Sequence, residues 1–332
     1  MKKHFILAGG GGGVTPALKG FTLFSCSSLI FTGLLTVDLN AQTITITNSN
    51  SIINNTHHNK TLIVNSSINV ITTNPYRGTS LGLYFTTIKK LDIQEKASIE
   101  SWLDTQNATI NQVDISGQTA GFHLKRGTKI GTIDLKQGGR MMSMYIRNPS
   151  VTIDTLNING TLAGWSAYGG INNQGGKINT INVKQGGKIE QGIRNNNGTI
   201  QTLTINSGTI NGGITNSKTI QTLTINSGTI NGGITNNRTM GSISVSNGTV
   251  NGNIVNSGTN ASTGNINITG TSNVSGSIVN QNGANFTSNI TLEQNSKLGG
   301  ISNNANSTMG GTLDLKGEVG TISNAGTFNS TL

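Results

Sequence analysis

The chain has 332 residues, of which 10% are charged and 4% aromatic, with 46 Gly, three Pro, one Cys and a formal net charge of +10. So few aromatic side chains would leave the broad core of a compact globule poorly filled, and one cysteine excludes an internal disulfide framework. The composition suits a stack of thin rungs around a narrow column of Ile, Leu and Val.

The first 41 residues read as an export signal. Lys2, Lys3 and Lys19 precede an apolar run from Phe21 to Val37, and Leu39-Asn40-Ala41 offers a small residue at a cleavage point before Gln42. Ser25, Ser27, Ser28 and Gly33 interrupt the run, which weakens the alternative of a membrane-spanning helix. Cys26 lies inside it, so the processed chain has no cysteine; the bulky Phe24 argues against a lipid-modified Cys26. Gly9 to Gly13 reads either as flexible filler or as the product of a guanine tract whose length varies. Removing residues 1–41 takes away Lys2, Lys3, Lys19 and Asp38 and leaves a formal charge of +8.

From residue 42 onward a short apolar pair recurs about every twenty-two residues. The pairs are Ile44/Ile46, Leu62/Val64, Leu91/Ile93, Val113/Ile115, Ile133/Leu135, Leu156/Ile158, Ile181/Val183, Leu203/Ile205, Leu223/Ile225, Ile243/Val245, Ile266/Ile268, Ile290/Leu292 and Leu313/Leu315. Residues 199–216 and 219–236 are identical, and 239–256 keeps the pattern with substitutions. Within a copy, Leu203 and Ile205 alternate with Thr202, Thr204 and Asn206, the period of a half-buried strand. Asn206-Ser207-Gly208 and Asn211-Gly212-Gly213 then break the chain with residue types that accept sharp bends.

Short strands joined by tight bends at a fixed period predict an all-β fold, a single-stranded right-handed parallel β-helix of about 13 coils over 42–332. Stacking at about 4.8 Å per coil gives a rod of about 60 Å. The wide gap between Val64 and Leu91 holds Pro75, Tyr76, Arg77 and Gly78 and reads as a surface loop. A leucine-rich repeat shares the period, but Gly208 stands where its asparagine is expected and no helix-forming stretch follows. Amyloid-like assembly of an Asn-rich chain is the third reading, set against the regular apolar columns.

A second column supports the register. Ile-x-Asn begins at Ile146, Ile171, Ile193, Ile214, Ile234, Ile254, Ile278, Ile301 and Ile322, ending at Asn148, Asn173, Asn195, Asn216, Asn236, Asn256, Asn280, Asn303 and Asn324. Equivalent asparagines on successive coils predict a hydrogen-bonded ladder at a left-handed turn; solvent-facing turn residues are the alternative.

Chemistry is sparse. No Asp or Glu lies between Glu190 and Glu293, whereas Asp92, Asp114 and Asp134 fall inside apolar pairs and are expected to point outward in one row, flanked by Lys89, Lys90 and Lys136. That row reads as a solvated charged face, with a catalytic or metal role as the competing reading. Gly78-Thr79-Ser80-Leu81-Gly82 has nucleophile-elbow spacing without a strand-to-helix context, and His57, His58 and His123 are too scattered for a metal site. No cofactor is expected. Lys125, Arg126, Lys129, Lys136, Arg140 and Arg147, near Met141, Met142, Met144 and Tyr145, form a candidate basic patch for acidic glycans or lipopolysaccharide; ordinary solubility charge is the alternative. Specific nucleic-acid binding is not expected, because aromatic interleaving is missing.

The motif Gly198-Thr199-Ile200-x-x-Leu203-x-Ile205 recurs as Ile88-x-x-Leu91-x-Ile93, Ile110-x-x-Val113-x-Ile115, Ile130-x-x-Ile133-x-Leu135 and Ile178-x-x-Ile181-x-Val183. It resembles the passenger domains of Gram-negative autotransporters, in particular vacuolating-cytotoxin-like repeat surface proteins. The resemblance implies a non-catalytic, exported passenger at the outer-membrane surface or outside the cell, periplasmic if no barrel accompanies it. Adhesion to host-surface or bacterial-surface glycans or proteins is the implied role. A β-helix polysaccharide lyase or hydrolase, or a fragment of a vacuolating-toxin-like protein, stands as the alternative. Such proteins end in an outer-membrane β-barrel, which would be encoded elsewhere or lost by truncation, since the sequence stops after a coil.

Overall fold

A computed structural model describes residues 43–46, 51–53, 59–65, 79–164 and 169–331. Residues 1–41, read from the sequence as an export signal, with Gly9–Gly13 and Cys26, the histidine pair His57-His58, and Pro75 to Gly78 lie outside the described residues. The described residues are strands, turns and bends without helix, wound into a parallel β-solenoid of about twelve turns.

One long strand per coil builds the principal sheet. Its path runs through Thr43–Ile46, Lys60–Val64, Thr87–Ile93, Thr109–Ile115, Lys129–Leu135, Thr152–Ile158, Lys177–Val183, Thr199–Asn206, Thr219–Asn226, Thr239–Ser246, Ile266–Thr269, Ile290–Leu292 and Leu313–Leu315. All thirteen apolar pairs stack in register, as in Leu203↔Leu223 and Ile205↔Ile225. From Leu62 to Leu313 their side chains are at most 2% exposed. Because side chains alternate across a strand, a slip of one residue would turn this whole column to water, and that cost fixes the register.

In most circuits the rest is two shorter strands, Thr209–Ile210 and Ile214–Asn216 in the first identical copy, which belong to a second parallel sheet; in the later coils one longer strand, such as Asn273–Gln281, takes the place of both. Near the end of the chain Asn285–Phe286, Thr308–Met309 and Thr327–Phe328 form a small third sheet. The stretch between Val64 and Leu91 also carries a strand, Thr79–Tyr84, which pairs with Trp102–Gln106. Thr79 to Gly82 therefore lie on a strand, which removes the nucleophile-elbow geometry.

The bends divide their labour. In the first bend the left-handed residue is Ser207, Ser227 or Asn247, at φ 57°, 51° and 51°. The glycine that follows serves close approach: a Cβ on Gly208 would come within 2.6 Å of the Val183 methyl on the coil before, and one on Gly248 within 2.7 Å of Ile225. In the second bend Gly213 and Gly233 take φ 72°.

The asparagine ladder forms, with two corrections. Asn173, Asn195, Asn216, Asn236, Asn256, Asn280, Asn303 and Asn324 pass amide hydrogen bonds along the axis at 2.8–3.2 Å, each Nδ2 donating to the next Oδ1. All but Asn324 are buried, so they are interior groups and not solvent-facing turn residues. First, each is the last or last-but-one residue of a strand, and none has positive φ. The left-handed turn expected of them is absent, and the amides instead reach the next corner, as where Asn216 Nδ2 donates to the Thr239 carbonyl at 2.8 Å.

Second, Asn148 is not a member. The register pairs Met144 with Ile171 and Ile146 with Asn173, so Ile146 occupies the ladder position and Asn148 falls in the corner, bonding Ser150. Upstream the same column is apolar or hydroxylic: Thr105, Leu124 and Ile146 stack there, with the Thr105 and Thr128 hydroxyls 2.9 Å apart in the interior.

Candidate functional site

The sequence pointed to an acidic row and a basic patch, and the fold treats them differently. Asp92, Asp114 and Asp134 are rung partners on the outer face of the principal sheet. Lys90, two residues before Asp92, donates to Asp114 Oδ2 at 2.8 Å and lies 3.5 Å from Asp92; Lys136, from the next coil, reaches Asp114 Oδ2 at 2.7 Å. Gln112 Nε2 bridges Asp114 and Asp134 at 2.6 and 2.8 Å, and Asn157 donates to Asp134 at 2.6 Å.

Burial works to raise the Asp114 pKa, but hydrogen bonds from Lys136, Lys90 and Gln112 outweigh it and bring the group to about 2. The hydrogen bond to Asp114 correspondingly raises Lys90. A carboxylate held so low is poorly matched to proton transfer near neutral pH, and it fits the role of a staple across three coils. An open groove of about 740 Å³ runs beside the row, lined in part by Asp92, Glu95, Gln118 and Lys136. Among the described residues no group of three His, Cys, Asp or Glu side chains is placed to hold a metal ion.

The six basic residues do not form one patch. A circuit takes about twenty residues, so neighbours in sequence spread around the circumference. Lys129 opens a principal-sheet strand, Lys136 lies beyond its far end with Asp114, and Arg140 is on the next short strand. Lys125, Arg126 and Arg147 follow the strands Phe122–Leu124 and Met144–Ile146, which are rung partners, and so share one corner region. Met141 and Met144 point inward and are fully buried.

That corner borders a cluster that the sequence reading did not assemble. Asp104, His123 and Tyr145 are rung partners on the outer face of the second sheet. The His123 ring stacks on Tyr145 with centroids 5.6 Å apart at 22°, and Trp102 tilts against its other side at 5.9 Å and 58°. The Arg147 guanidinium lies 4.5 Å over the Tyr145 ring. His123 Nδ1 donates to Asp104 Oδ1 at 3.0 Å, Lys125 donates to Asp104 Oδ2 at 2.8 Å, and the Tyr145 hydroxyl donates to Gln174 at 2.8 Å. Asp104 is thus a buried anchor that orients a histidine and a lysine.

One rung earlier, Tyr84 lies across Gly82, the rung partner of Asp104, where any Cβ would strike its ring. Phe85 follows at the corner with φ 51° and 62% of its surface exposed. A bulky residue in the left-handed region is unusual and costs backbone energy. The recurrence of Trp102, His123 and Tyr145 at roughly one coil was the signal available in the sequence. No family model, no curated protein and no solved structure matches the chain, so the reading of its surface rests on this geometry alone.

Proposed function

We propose that the chain is an exported β-helical passenger of the autotransporter kind, displayed at the cell surface or released, which works by contact with glycans or proteins of a host or bacterial surface and not by catalysis. The observation that carries this reading is the outward repetition of polar side chains on a stiff axis. Thr132, Thr155, Thr180, Thr202, Thr222 and Ser242 form one continuous outer row, and Asn157, Asn182, Thr204, Thr224 and Ser244 form the next. Weak contacts repeated at a fixed spacing combine through effective concentration, giving gains of about 10²–10⁴ without a deep pocket. The Asp114 network supports the same reading, since its lysines and carboxylates are spent on one another.

Deleting residues 219–238 tests it, because that stretch follows an identical copy and its removal rejoins Lys218 to Thr239 in register. Beads coated with the intact chain should attach to epithelial or bacterial cells, and beads carrying the deletion should attach measurably less while the protein keeps its strand content. Failure of the intact chain to attach to any surface, or a substrate cleaved by the purified protein, would sink the proposal.

A further inference from the structure

We propose that the face carrying Trp102, His123 and Tyr145, together with Arg126 and Arg147, binds an acidic saccharide, a glycan bearing sulfate or carboxylate groups. This rests on the contact function proposed above and names its ligand class.

Aromatic residues are 4% of the chain, yet Tyr84, Phe85, Trp102 and Tyr145 gather with His123 on successive rungs of one face. Further along, the described members of the same outward column are Asn172, Arg194, Thr215 and Thr235, none of them aromatic. A solenoid needs no outer aromatics to stack its coils, because the inner column supplies that energy. Among the described residues their gathering on a few rungs, and the exposure of Phe85, mark this face off from the polar surface around it.

The charge on this face sets the ligand's sign. Lys125 is held by Asp104, but among the described residues neither Arg126 nor Arg147 lies within ion-pairing distance of a carboxylate. Arg147 is aligned by the Tyr145 ring beneath it, so its fork is ordered before a ligand arrives. Two exposed guanidiniums beside an aromatic strip suit planar, multidentate anions.

The rings define the rest of the ligand. Trp102 is only 8% exposed, and His123 lies between Trp102 and Tyr145, so this stack offers no slot for a nucleobase. Among the described residues Phe85 is the only strongly exposed ring on the face, too little apolar surface to anchor in a bilayer. What remains is ring edges, amides such as Gln174 and guanidinium forks on an open surface. That combination fits a hydroxyl-rich, anionic, extended chain bound without a cavity.

The test measures binding of the purified full chain to a sulfated heparin hexasaccharide, to sialyllactose and to neutral maltohexaose by calorimetry. Phosphatidylglycerol vesicles and oligothymidine serve as competing anions. At least one acidic saccharide should bind, and maltohexaose should not. The double variant Arg126→Ala with Arg147→Ala should lose about tenfold or more in affinity. The double variant Lys218→Ala with Arg238→Ala, which removes the same charge elsewhere, should stay within about twofold. Tyr145→Leu should weaken binding by releasing Arg147, and Tyr145→Phe, which keeps the ring, should weaken it less.

Equal binding of acidic and neutral saccharides, equal losses in the two double variants, or tighter binding of vesicles or oligonucleotide would each overturn the proposal. Cell attachment is scored separately. Attachment without saccharide binding refutes this site and leaves the contact function standing, whereas saccharide binding without attachment does the reverse.

Discussion

Replacing Asn216 by alanine isolates the contribution of the interior amide ladder. Its Nδ2 donates to Asn236 Oδ1 and to the Thr239 carbonyl, both at 2.8 Å, and its Oδ1 accepts from Asn195 at 2.8 Å and from the Lys218 backbone N–H at 3.3 Å. Asn195 keeps two carbonyl acceptors, so its loss is partial. The groups that suffer are Asn236 Oδ1, the Thr239 carbonyl and the Lys218 N–H. At about 1–3 kcal/mol for each buried group left unpaired, discounted for the contacts that survive, the variant should be destabilised by about 2–5 kcal/mol. Asn148→Ala provides the control: it too ends an Ile-x-Asn tripeptide, but its bonds to Ser150 are exposed, and its loss should cost less than about 1 kcal/mol. A solenoid need not unfold in a single step. Hydrogen exchange over residues 199–239 is therefore the primary assay, with guanidinium unfolding followed by circular dichroism beside it. Equal effects of the two substitutions, or unchanged exchange in Asn216→Ala, would refute the ladder as a source of stability.

The close approach at the first bend predicts that Gly228→Ala, whose Cβ would collide with Ile205, costs about 1–3 kcal/mol in the same assays. Asp114 predicts a pH dependence. Its folded pKa of about 2 lies below its ordinary 3.8, so its stabilisation is complete above about pH 4 and is lost as pH falls through 2. Asp114→Asn should therefore be less stable than the parent by about 2 kcal/mol at neutral pH, with the gap closing near pH 2; a gap constant with pH would contradict the assignment.

The apolar pairs were legible because a strand with one buried face has a period of two, and a solenoid repeats that face at the same place in every coil. Ile146-Arg147-Asn148 misled because a tripeptide carries no register. Ile146 itself fills the column opposite Asn173, so Asn148 falls two residues further on, in the corner with Pro149. The basic residues misled for a related reason, since proximity along the chain becomes dispersion around a circuit. The aromatic face was carried in the sequence only by the one-coil spacing of Trp102, His123 and Tyr145, and Asp104 joins them as a rung partner only once each corner's length is known.

The ladder has a consequence for behaviour in acid. Proteins unfold at low pH chiefly because native carboxylates must take up protons and buried histidines must become charged. The coils from Gln191 to Leu292 contain no Asp, Glu or His, and their polar interior is a line of carboxamides with the hydroxyls of Thr263 and Ser272, none of which gains or loses protons in that range. Acid offers this part of the rod no titrating group through which to loosen it, whereas the coils stapled by Asp114 give up their ionic cross-link as pH approaches 2. A single chain thereby joins an acid-indifferent length to an acid-responsive one, and the difference lies in which side chain, amide or carboxylate, ties one coil to the next.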